Sequence, residues 1–173
     1  MTKHVTLSEL NNMPESQFVS LLGGVFEHSP WVAEGAASGR PYDSVADLHA
    51  AMVKQIEQAG EQAQLKLIRA HPELAGKAAV RGELTEESTS EQAGAGLDKC
   101  SPEEYARLTE LNDAYNNKFG FPFILAVKGY DRAGIIQQFE RRLQLSLEDE
   151  KRESLQQIYK IGGFRLNDLI NET

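Results

Sequence analysis

The chain has 173 residues, 40% of them hydrophobic, and a formal charge of −8, enough for one domain that buries roughly two thirds of its unfolded surface. The acidic balance and the lack of a Lys/Arg cluster argue against nucleic acid as a partner. The absence of any run of about 18 apolar residues argues against a membrane span. The single cysteine, Cys100, excludes an internal disulfide or a thiolate-rich zinc site and suits a reducing compartment.

The N-terminus "MTKHVTLSELNNMPESQ" lacks the apolar core of a secretory signal, and the chain ends "LINET" rather than in a peroxisomal signal, so a cytoplasmic location is expected. Thr6, Ser29, Asp43, Ser101 and Ser146 read as helix N-caps. Phe18, Leu21, Leu22 and Val25 fall at helical spacing, as do Val45, Leu48, Met52, Val53 and Ile56, and each group ends near a glycine. The helix "EQAQLKLIRA" must stop near Ala70 or His71, because a residue before proline is pushed out of the α region.

Beyond it, "PELAGKAAVRGELT", residues 72 to 85, is loop-like. At 101 to 104, "SPEE" combines a serine cap, a first-turn proline and a capping-box glutamate, opening a helix to about Phe119. "FPFILAV", 121 to 127, reads as extended. Ile135, Ile136, Phe139 and Leu143, then Leu155, Ile158, Tyr159, Ile161, Leu166 and Leu169, carry the 3.6 period to a long C-terminal helix. The expected fold is one compact all-α domain, residues 1–173, of about eight helices.

No two of the four histidines have the close spacing of a helical metal pair, so no metal site is expected. His4, His28 and His49 suit structural or solvent-facing roles. His71, at a helix exit, lies where the terminal partial negative charge favours imidazolium, which suits a proton donor. The alternative for His71 is a C-terminal cap.

Ser88, Glu91 and Gln92 stand at i, i+3 and i+4 and share a helical face. "STSE" is also a capping box, in which Ser88 and Glu91 would only satisfy backbone amides. Gln92 is not needed for that box. In "KIGGFRLNDLI", Arg165 lies within an apolar stripe, where it either snorkels to solvent or recognises a carboxylate or ureido carbonyl through its planar donors. Close packing would explain the two helical glycines before it. Cys100 is a weak nucleophile candidate, since Ser101 fills the cap beside it.

Together, "IRAHPELAGK", "LTEESTSEQAGAGL", "LNDAYNNKFGFPFILAVKG" and "IGGFRLNDLI" resemble the 2-oxo-4-hydroxy-4-carboxy-5-ureidoimidazoline (OHCU) decarboxylases of urate breakdown, from about Phe18 to Leu169. The resemblance implies an all-α homodimer, with neither metal nor organic cofactor, converting OHCU to (S)-allantoin and carbon dioxide. On the family's motifs His71 and Glu91 are the catalytic candidates. Pro72, Ser88, Gln92, Phe121, Pro122, Ile124 and Arg165 are the substrate-binding candidates. Competing readings are a non-catalytic helical module that binds a ureide or purine, and a ring-opening hydrolase of the same pathway.

Overall fold

Capping residues set most of the helix boundaries. The computed structural model describes residues 5–75 and 84–172, and among these lie nine α-helices, one 3-10 turn and one pair of two-residue strands. The strands are β1, Val5–Thr6, and β2, Ile170–Asn171, paired in parallel with Val5 opposite Ile170. The helices are α1 (Leu7–Asn12), α2 (Glu15–Leu22), α3 (Pro30–Ala37), α4 (Val45–Ala59), α5 (Glu61–Ala70), α6 (Glu86–Gly94), α7 (Pro102–Phe119), α8 (Arg132–Arg142) and α9 (Leu147–Leu169). The 3-10 turn, Leu97–Lys99, lies between α6 and α7. The all-α expectation therefore holds, and α9 is the long C-terminal helix.

Thr6 and Ser101 close reciprocal capping boxes with Glu9 and Glu104, and Pro102 occupies the first turn of α7. Two caps differ from the sequence expectation. Helix α4 is capped by Ser44, whose hydroxyl accepts from the Asp47 amide at 3.0 Å, rather than by Asp43. Ser29 precedes α3, but its hydroxyl donates to the Glu27 carbonyl at 2.9 Å instead of capping the helix.

Contacts group the chain into two units, Met1–Ala70 with Tyr159–Thr173, and His71–Ile158. In the first, α2 packs on α3, α3 on α4 and α4 on α5, which buries Phe18, Leu22, Phe26, Leu48, Met52 and Ile56. Gly162 of α9 belongs to this unit, and a Cβ there would lie 2.6 Å from the Phe26 ring. That close approach accounts for the glycine. His49 Nε2 lies 2.7 Å from the Tyr159 carbonyl, which can only accept, so the imidazole is fixed by a structural bond.

In the second unit, α7 packs on α8 around an aromatic cluster. The Tyr115 ring centroid lies 4.7 Å from that of Phe119 and 5.4 Å from that of Phe123, while Phe123 stacks on Phe139 at 3.8 Å. Residues 122–127 belong to no strand. Side chains bind that segment instead: Gln157 Oε1 accepts from the Ala126 amide at 3.0 Å, and Arg142 Nη1 donates to the Ile124 carbonyl. An extended stretch without a ladder still needs its buried backbone groups satisfied, and here Arg142 and Gln157 do so.

Arg142 is fully buried, as are Glu150 and Ser154. Its Nε and Nη2 both donate to Glu150 Oε1, which also accepts from the Tyr115 hydroxyl, and Nη2 reaches Ser154 Oγ at 3.2 Å. The guanidinium carbon sits 4.4 Å above the Phe123 ring. Burial pushes the Tyr115 hydroxyl well above its usual range, so it stays a donor at all working pH.

Candidate active site

His71 directly follows the last residue of α5, as the proline after it requires, and is 7% exposed. Beyond Pro72 the chain turns sharply. Ala75 has φ of +52°, a left-handed conformation that costs a residue with a Cβ about 1–2 kcal/mol. Leu74 and Ala75 are nonetheless buried.

Gln92 explains how that turn is held. Its Oε1 accepts from the Ala75 amide at 2.9 Å and its Nε2 donates to the Glu73 carbonyl at 3.2 Å. The helix that carries it begins at Thr85, whose hydroxyl accepts from the Ser88 amide at 3.2 Å. The expected capping box opening at Ser88 is therefore corrected, because Ser88 lies inside the first turn rather than ahead of it. Ser88 is buried, Glu91 half-buried, and the two share the Gln92 face of α6.

Two residues of α7 reinforce the turn, and both lie inside the "LNDAYNNKFGFPFILAVKG" motif without having been given a role there. Asn112 Nδ2 donates to the Leu74 carbonyl at 3.0 Å, and Asn116 Nδ2 donates to Glu73 Oε1 at 2.6 Å. Both lie at helical spacing on α7, and only the fold brings them to residues 73–75. Phe121 and Ile124 are buried and Pro122 half-buried in the segment that Arg142 and Gln157 hold. Phe121 packs against Tyr115 and Phe119, with centroids at 5.9 and 6.0 Å.

Arg165 belongs to the first unit, where it is buried and does not snorkel. Its Nη2 donates to Glu27 Oε1 at 2.9 Å, and Nη1 reaches the carbonyls of Val25 and Gly24 at 3.1 and 3.3 Å. Glu27 is a buried acid that the sequence did not flag. It precedes His28, whose φ is +48°. Cys100 is half-buried, and burial together with nearby Glu104 pushes its thiol up, away from nucleophilic character. Among the described residues no cluster of histidine, cysteine and carboxylates could hold a metal ion, and no helix is long and apolar enough to cross a membrane. His4 and residues 76–83, which include part of "LAGK", lie outside the described residues.

A family model described as OHCU decarboxylase matches residues 11–167. The chain belongs to that family. It is 41% identical to the 2-oxo-4-hydroxy-4-carboxy-5-ureidoimidazoline decarboxylase of Haloferax volcanii over 162 residues, covering 94% of each chain. It is also 41% identical to the uric acid degradation bifunctional protein PucL of Bacillus subtilis, matching 96% of this chain but 33% of that protein. A crystal structure of (S)-allantoin synthase superposes with a TM-score of 0.78 at 29% identity, covering 96% of this chain and 54% of that one.

Proposed function

We propose that this chain decarboxylates OHCU to (S)-allantoin and carbon dioxide in urate degradation, as a carboxy-lyase that needs neither metal nor organic cofactor. The observation that carries the reading is the buried His71 at the end of α5, followed at once by a turn that Gln92 of the Ser-x-x-Glu-Gln helix holds.

The chemistry is self-sufficient in electrons. When the bond between carbon 4 and the carboxylate breaks, its electron pair forms a double bond to carbon 5, and the ring carbon-nitrogen double bond takes up the displaced pair on nitrogen. The nitrogen takes up one proton, and a second adds to carbon 5 while the hydroxyl on carbon 4 loses its own to become the carbonyl, so one net proton replaces the departing carbon dioxide. The protein must hold the carboxylate out of the ring plane, exclude water and deliver the proton to one face.

His71 takes the hydroxyl or carboxyl proton as the principal acid/base group, and Glu91 pairs with it or relays the proton to the ring. Ser88, Gln92, Pro72, Phe121, Pro122 and Ile124 bind and orient the substrate. Gln92 has one N–H and one lone pair beyond those used on the turn. Arg165 keeps the role of substrate anchor carried over from the family motif. The family resemblance also supports a homodimer, which sedimentation velocity would test.

Urate oxidase and the hydrolase that follows it generate OHCU in place, so carbon dioxide release and optical rotation can be read together. Accelerated release with one-handed allantoin is expected. Decay at the spontaneous rate to racemic product would leave a binding module, and accelerated loss of OHCU without carbon dioxide would indicate a hydrolase.

A further inference from the structure

The geometry points to Asn112 and Asn116 as positioning residues for His71, a role that rests on the decarboxylase reading above. Three amide side chains from two helices meet three consecutive residues. Gln92 binds the Ala75 amide and the Glu73 carbonyl, Asn112 the Leu74 carbonyl, and Asn116 the Glu73 carboxylate. Only Pro72 separates this clamp from His71, and its ring removes one of the intervening backbone rotations. An orientation fixed at Glu73 is therefore passed to the His71 backbone with little slack.

The left-handed Ala75 supports the same conclusion. Such a conformation persists in a residue with a Cβ only where surrounding contacts over-determine it, and functional sites are where strain of this kind collects. A loop that merely had to close would be served by glycine there. Asn112 offers a second sign. It is 3% exposed, and its Oδ1 has no hydrogen-bond partner among the described residues. Burying an unsatisfied acceptor is unfavourable, and an apolar residue of similar size would avoid it. What asparagine provides and leucine does not is the donor to the Leu74 carbonyl.

Asn116 is bonded through its donor to a carboxylate, so the pair can be reversed. Asn116→Asp sets two carboxylates against each other, and adding Glu73→Gln restores a donor facing an acceptor in the opposite sense. We expect Asn116→Asp to lower kcat about 10- to 100-fold with KM within about twofold, since misplacing a reacting group by about 1 Å costs on that scale. The double variant should recover most of the loss. In parallel, the His71 Cε1–H resonance should shift or broaden in Asn116→Asp and return in the double variant.

Asn112→Leu, nearly isosteric, should lower kcat while the melting temperature moves little, with faster exchange of the Ala75 amide. If Asn112→Leu does not fold, the reversible pair decides alone. Unmoved His71 signals in Asn116→Asp, or a lost kcat that the double variant does not restore, would overturn the proposal. A wild-type chain that does not turn over OHCU would instead overturn the functional reading, and the His71 resonance would still report on the clamp.

Discussion

The guanidinium of Arg165 lies 2.9 Å from Glu27 Oε1, and both side chains are almost wholly withdrawn from solvent. Each therefore depends on the other. Truncating Arg165 to alanine removes that charge-assisted bond from the buried Glu27 carboxylate, whose ion pair to the exposed His28 is longer, at 3.9 Å, and the expected cost in stability is about 3–5 kcal/mol. Arg165→Lys retains the charge but loses the planar fork. It should raise KM for OHCU more than it lowers kcat, with steady-state kinetics and thermal unfolding recorded on the same sample.

His71→Asn removes the proton-transfer group while keeping a polar side chain of similar reach. A loss of about 10²–10⁴-fold in single-turnover decarboxylation is expected, together with erosion of the (S) excess in the allantoin. A rate within a few-fold of wild type would eliminate His71 as the acid/base group.

Arg142 and Glu150 form a fully buried pair that also reaches Tyr115, Ser154 and the Ile124 carbonyl. Arg142→Met alone should destabilise by about 3–5 kcal/mol, since it strands Glu150. Pairing it with Glu150→Leu should regain part of that stability without regaining activity, because the Ile124 carbonyl still lacks its donor. Urea titrations of both variants, read beside kcat, separate the two effects.

Adjacent glycines of α9 give opposite expectations. A Cβ at Gly162 would meet the Phe26 ring at 2.6 Å, whereas at Gly163 its nearest neighbour is His49 Nε2 at an ordinary 3.5 Å. Gly162→Ala should therefore cost about 1–3 kcal/mol by overpacking. Gly163→Ala should be neutral or add up to about 1 kcal/mol from helix propensity. Two thermal melts check the contrast.

Glu104 is held below the usual carboxylate range, first by the Ser101 backbone amide and then by the Arg132 guanidinium, whose Nε lies 2.8 Å from Glu104 Oε2. A carboxylate with a depressed folded pKa contributes stability above its unfolded pKa of about 4.3, and that stability is lost as pH falls through the folded value. Glu104→Gln should accordingly be less stable at neutral pH and show a shallower loss on acidification. Denaturant midpoints measured between pH 6 and pH 3 would show it.

Local chemistry made much of the fold legible. The cap at Thr6, the box at Ser101, the stop forced on α5 by Pro72 and the long period of α9 each depend on residues within a turn or two of one another. Where two neighbours compete for one cap, as Asp43 and Ser44 do, or where a cap at Thr85 stands against a box at Ser88, sequence spacing cannot rank them, and packing selects one. Apolar residues from 121 to 127 indicate extension but not whether a strand or a side chain will satisfy their backbone. At the candidate site, His71 and Gln92 were visible as motif residues. Glu27 lay in no motif, and Asn112 and Asn116 lay inside one without a role, because each matters through a partner 138, 38 or 43 positions away.

The pairing of Val5 with Ile170 and of Thr6 with Asn171 brings the first and last described elements side by side, and the Val45 amide donates to Glu172 nearby, at 2.9 Å. The two ends of the described chain therefore lie beside each other in the first unit. A second enzyme joined at either end would be tethered at one point of the first unit.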